Sequence, residues 1–210
     1  MPTSTERGKQ QNKTLSDPTD ATLALQGVGW MLRKTIGMAA VTLHAKQYTG
    51  PPRAPSTSTE DATHIDVEQT LTGGVQGNAD RRCLDREAWE HSDWLFGTVR
   101  GQSRFVSLSD LNSWVPETYG AYLRGGPGDD DGGEWLEGDA ENQGPQDESH
   151  VLTLAKNVDE GRGWSATQVW GFQLIGGERR YVRLVVARDR DGKKEVHMKM
   201  VYDYVPEEKK

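Results

Sequence analysis

Several things are scarce in this chain of 210 residues. Cys83 is its one cysteine, so no disulfide can form within it. That usage fits a reducing, intracellular compartment, and a cytoplasmic location is expected. No apolar run reaches the length of about 18 residues that marks a transmembrane helix. Residues 1–20 lack the apolar stretch of a secretory signal. Hydrophobic residues make up 34% of the chain and mean hydropathy is −0.77. Part of the chain should therefore lie outside any core. There is no phosphate loop, dinucleotide fingerprint, zinc pattern or serine-nucleophile elbow. No cofactor and no metal are expected.

Positive charge is also scarce as a concentrated feature. The net charge of −7 comes mostly from one segment, 124–149, which holds nine acids and a single base, Arg124. The first 20 residues are balanced, with three acids and three bases. The rest is close to neutral. A nucleic-acid binder would show a basic face, and an anionic membrane would select one too. Neither nucleic acid nor membrane insertion is expected.

What is present is alternation. Residues 1–20 are polar and predict a disordered tail. Leu23, Leu25, Trp30, Met31 and Ile36 suggest a short N-terminal helix, weakened by Gly27 and Gly29. From residue 41 the period becomes two. Val41, Leu43 and Ala45 alternate with polar residues, and so do Ile65, Val67 and Leu71. Segments 81–90 and 93–106 predict two or three short strands. Residues 108–149 predict an inserted helix and loop, with 124–149 an acidic, glycine-rich and mobile stretch in which Trp135 and Leu136 are the only apolar pair. The last third is clearest, with strands over 150–156, 164–175, 178–188 and 194–204. Gly176-Gly177 and Asp191-Gly192 mark hairpin turns. Consecutive antiparallel strands favour closure, which removes sheet edges. The expectation is an all-β, antiparallel, up-and-down β-barrel of about 8–10 strands over 21–206, with a two-sheet sandwich as the competing architecture.

Four stretches carry a resemblance: HIDVEQTLTGG (64–74), EHSDWLFG (90–97), GWSATQVWGFQLIGGERRYVRLVV (163–186) and MVYDYV (200–205). Through them the chain resembles the calycins, and more closely a group of small lipocalin-like fungal proteins. The resemblance spans about residues 30–204. It implies a calycin-like barrel and an association with natural-product pathways.

The candidate site residues follow from strand faces. Trp164, Gln168, Trp170 and Phe172 share one face, where large aromatics and one amide suit an apolar pocket with one orienting hydrogen bond. Arg180 shares a face with Val182, Leu184 and Val186, and could meet a ligand oxyanion. Met198, Met200, Tyr202 and Tyr204 share another, with hydroxyls able to donate. Glu68 lies on a face with His64 and Asp66. His91 stands among Glu90, Asp93, Trp89 and Trp94. These two are the candidate proton-transfer residues, His91 first because aromatic rings flank it; a solvated outer strand face and a turn with exposed charges are the competing readings. Three functions stay open. The first is a barrel that binds a hydrophobic small molecule between Trp164, Gln168, Trp170, Phe172, Arg180, Met198, Met200 and Tyr202. The second is a cofactor-free cyclase or isomerase acting on a polyketide or terpenoid intermediate, with His91 or Glu68 moving protons. The third is a protein-interaction barrel with a filled interior.

Overall fold

The computed structural model describes residues 5–72, 75–125, 133–138, 144 and 148–205. In chain order the elements are β1 (Thr5–Gln11), α1 (Asp20–Leu25), α2 (Trp30–Met38), β2 (Val41–Gly50), β3 (Ala62–Leu71), β4 (Val75–Cys83), β5 (Ala88–Asp93) and β6 (Gly97–Val106). A 3-10 turn (Leu111–Ser113), α3 (Glu117–Gly125), β7 (Glu134–Trp135), β8 (His150–Asn157), β9 (Ser165–Ile175), β10 (Glu178–Arg188) and β11 (Glu195–Val205) complete it. Among the described residues no helix is long and apolar enough to cross a membrane.

The strands pair in the order β4-β3-β2-β1-β11-β10-β9-β8-β6-β5, with the short β7 pairing the far end of β9 beyond β8. Every pairing is antiparallel. Apart from the skipped β7, this is sequence order wrapped into a ring. The expected all-β antiparallel barrel is therefore what the chain forms, and the sandwich is not. The ring is nearly closed. Its one missing ladder lies between β4 and β5, two strands adjacent in sequence. Side chains and a single backbone bond cross that seam instead. Arg82 donates from Nη1 to Ser103 Oγ at 3.3 Å and to Thr153 Oγ1 at 3.2 Å. The Arg86 N–H donates to the Ser103 carbonyl at 3.2 Å.

Local chemistry explains the elements. Gly176 and Gly177 both have positive φ, +60° and +77°, which a two-residue turn of type I′ requires. They pair Ile175 with Glu178 and set the β9–β10 register from there. Gly27, at φ +83°, stops α1 as a left-handed cap residue, so the expected single N-terminal helix is two.

The tail is corrected more sharply. Residues 1–20 read as disordered because they bury little apolar surface. Yet residues 5–11 form β1, seated between β2 and β11. A strand with a partner on each side satisfies its N–H and C=O groups through the ladders, and this does not need apolar side chains. Further on, Ser16 Oγ and Asp17 Oδ2 accept the backbone N–H groups of Val201 and Lys199 at 2.9 and 2.7 Å.

Two apolar regions result. Outside β8–β11, Leu152, Val169, Val182, Leu184 and Val201 pack under Leu111, Tyr119, Leu123 and Trp135 of the inserted segment. Glu117 in the first turn of α3 and Arg124 in the last suit its dipole. The Trp135 indole donates to the Leu123 carbonyl at 3.2 Å, so that tryptophan pins the cover to the wall. Most of the acidic stretch 124–149 lies outside the described residues. Inside the ring, Leu43, Val67, Phe105, Trp170, Phe172, Tyr181 and Tyr202 form the second region.

Candidate functional site

The ladders align inward-facing side chains in rows. One row runs Met200, Arg183, Trp170, Val151, Phe105 across β11, β10, β9, β8 and β6. The next runs Met198, Val185, Gln168, Thr153, Ser103. Tyr202, Tyr181 and Phe172 stand on the other side of the first row. The structure thus brings together six of the sequence-predicted residues: Gln168, Trp170, Phe172, Met198, Met200 and Tyr202. Trp164 also faces inward but sits nearer the opposite end, edge-on to Phe96 at 5.9 Å and packed with Val99 and Met198.

The centre of the arrangement is cationic as well as aromatic. Arg183 is 7% exposed. Its guanidinium carbon lies 4.8 Å from the Trp170 ring centre and 5.6 Å from that of Tyr181. Its Nε donates to the Tyr181 hydroxyl at 3.3 Å, and its Nη2 has no partner. Arg82 approaches Trp170 at 5.6 Å and is paired with Asp80. Lys9 Nζ lies 5.1 Å from the Tyr181 ring centre and 5.6 Å from that of Tyr204. Burial pushes the Tyr181 hydroxyl up to about 12 and raises Tyr202 as well. Both are protonated at neutral pH, and the Tyr202 hydroxyl donates weakly to Met200 Sδ at 3.6 Å.

Two predicted site residues lie elsewhere. Arg180 points to the outer face and pairs with Glu178 at 2.6 Å and with Asp203. The aliphatic run Val182, Leu184, Val186 suggested that its side of β10 looked inward. That run belongs to the outer cluster beneath α3 and β7, because β10 is buried on both faces. Glu68 is on the outside of β3, exposed, with Arg81 Nη2 3.7 Å from its carboxylate. Ile65 and Val67 take the interior side of that strand. The neighbouring Asp66 holds Arg53 and Arg81 at 3.0 and 3.1 Å, an outer ion-pair cluster.

His91 is on the inward side of β5, opposite Val99. Its ring lies 4.4 Å from that of Trp89, and its Nε2 is 4.0 Å from Asp93 Oδ2. Its Nδ1 is buried without a partner. By register it belongs to the row of Val99 and Asn157, three rows away from Trp170. A cleft of about 180 Å³ opens at the seam between Trp89 of β5 and Cys83 of β4, with Arg53 and Arg81 on its rim. Burial raises the Cys83 thiol, which keeps it from acting as a thiolate nucleophile. Among the described residues no three His, Cys, Asp or Glu side chains converge to hold a metal ion.

Sequence reasoning missed Arg183, Tyr181, Arg82 and Lys9. The signal for the first two was present. A two-residue turn at Gly176-Gly177 makes Phe172 face Tyr181 and Trp170 face Arg183, so the aromatic face of β9 selects the inward face of β10. Lys9 was hidden in a segment that reads as a tail. Arg82 was hidden in a strand with no clean alternation.

No family model matches the chain. The chain is similar to a probable pericyclase of Mollisia scopiformis, 27% identical over 194 residues, covering 92% of this chain and 86% of the relative. It is likewise similar to a pericyclase of an Acremonium species, 25% identical over 194 residues, covering 92% and 88%. Among solved structures it aligns with As-p18, an extracellular fatty acid binding protein, at a TM-score of 0.43 and 11% identity, covering 95% of this chain and 94% of that one. The relatives are fungal, as the resemblance implied, and both are named as pericyclases.

Proposed function

We propose that this barrel is a cofactor-free pericyclase that folds one flexible, largely apolar substrate and rearranges its bonds within the ring interior. A pericyclic step moves electrons around a closed loop of atoms in one molecule. No atom enters or leaves, and no electron acceptor is required. The protein must hold a reactive conformer, which removes much of the entropic barrier. It can also donate hydrogen bonds to an oxygen conjugated with one reacting π system, lowering that system's acceptor orbital.

The observation that carries the reading is Arg183. A buried guanidinium between Trp170 and Tyr181, with Nη2 unpartnered, is an expensive feature for a wall that only needs to be packed. It suits donation to a substrate oxygen while the aromatic rings grip the apolar body. The names of the two relatives support the same assignment. In this reading Trp170, Phe172, Met198 and Met200 shape the substrate, and Gln168, Arg183 and Tyr202 orient it.

Deleting the gene and profiling metabolites tests the proposal. The expected result is accumulation of an isomer with the mass of the normal product but lacking a ring. The purified protein should convert that isomer, and Arg183→Met should convert it at least about tenfold more slowly with an unchanged circular dichroism spectrum. Normal product in normal yield from the deletion strain would sink it. The second reading is carriage without conversion, favoured by the sulfur-rich and aromatic wall of Met198, Met200, Trp164 and Trp170. It predicts the same product structure at lower yield.

A further inference from the structure

We infer that the molecule received by the barrel is an organic anion, with its charged group seated against Arg183 and its apolar body against Trp170, Tyr181 and Phe172. This rests on the interior being the substrate site, as proposed above, and adds the charge of the substrate.

The inward face carries more positive than negative charge. Lys9, Arg82 and Arg183 all project there. Around them the inward carboxylates among the described residues are Asp80, which Arg82 occupies, and Asp93 at the far end of β5, which accepts the Leu95 and Phe96 N–H groups and lies 4.0 Å from His91 Nε2. Arg82 also donates to Ser103 and Thr153, so its position is determined by the protein alone. Arg183 differs. It forms no ion pair among the described residues, and its single hydrogen bond goes to a neutral phenol. Taking an isolated cation out of water costs several kcal/mol unless a counter-charge meets it. A neutral carbonyl would fill the Nη2 valence but leave Arg183 with only the longer-range charge of Asp80, which Arg82 already holds. An anionic oxygen fills the valence and meets the charge, in the planar geometry that a guanidinium favours. The interior is also reachable. Gln168, Ala155, Met200 and His91 face inward yet keep part of their surface exposed.

A matched pair of fluorescent probes tests the inference without the natural substrate. 1-Anilinonaphthalene-8-sulfonate and N-phenyl-1-naphthylamine share an apolar skeleton and differ by the sulfonate. With the full chain at pH 7, the sulfonate should bind at least about tenfold more tightly, the size of one charge-assisted contact. Arg183→Met should abolish that preference while leaving the neutral probe within about twofold of its wild-type affinity. Arg183→Lys should keep part of the preference. Equal wild-type affinities, or a preference that survives Arg183→Met, would overturn the anion inference alone and leave the interior site standing. Failure of both probes to bind would overturn the interior site together with it.

Discussion

The two faces of β8–β11 are built from the same strands and serve different ends. Outward, Leu152, Val169, Val182, Leu184 and Val201 are aliphatic and essentially sealed beneath α3 and β7. Inward, the alternate positions carry Trp170, Tyr181, Arg183, Gln168 and Thr153. The outer face is a conventional core that happens to lie outside a barrel. The inner face holds a cation and several hydroxyls that a core built for stability would omit. The inserted segment covers one wall and buries the aliphatic outer face.

The largest expected effect tests the outer face. Leu184→Ala removes a sealed side chain from the wall and should cost about 2–5 kcal/mol in urea unfolding. The remaining folded protein should keep its probe preference. A loss below about 1 kcal/mol would mean that the outer cluster is not where stability resides.

Acidification should attack the same face. Burial lowers the His150 ring to about 4, beneath the outer tryptophan Trp135 at 4.9 Å. Its folded value lies below the unfolded value of about 6.5, so the unfolded chain binds the extra proton as pH falls. Stability should drop by about 2 kcal/mol between pH 7.5 and 5 and by about 3 at pH 4, then level off for this group. Urea midpoints compared with those of His150→Gln isolate the contribution. Parallel pH curves for the two proteins would show that His150 is accessible.

Arg183→Met reverses the usual direction. Replacing an unpartnered buried cation with an apolar side chain should raise stability by about 1 kcal/mol or more while conversion falls. If unfolding instead shows a loss of several kcal/mol, Arg183 is a structural member of the wall, and the contrast between the faces fails. The smallest effect belongs to Glu68→Gln. The site is exposed and outside the barrel, so stability should move by less than about 0.5 kcal/mol and conversion should not change. A large fall in conversion would return Glu68 to the chemistry.

Part of this organisation is legible in the amino-acid order alone. Two-residue periodicity and the Gly176-Gly177 and Asp191-Gly192 turns point to a meander of antiparallel strands. The aromatic face of β9 can be read in full. What fails is the pairing of faces. Val182, Leu184 and Val186 look like an interior, and Arg180 is carried inward with them. A strand buried on both sides offers two apolar faces, so alternation cannot say which one faces into the ring. Counting outward from the glycine turn opposes Trp170 to Arg183, because hairpin register follows loop length. Nothing local could have found Lys9, since β1 has the composition of a tail and becomes a strand only when β2 and β11 are both present.

Residue order alone specifies the class of fold, the turns and the alternation along most strands. These depend on backbone conformation and on neighbours two residues apart. The tertiary structure decided which faces converge, that the ring stays unlaced between β4 and β5, and that the inserted segment sits outside the wall. It also decided that Arg183, Arg82 and Lys9, from β10, β4 and β1, all face the same interior. Those outcomes depend on contacts between residues far apart in the chain, and one-dimensional patterning does not encode a partner at that distance.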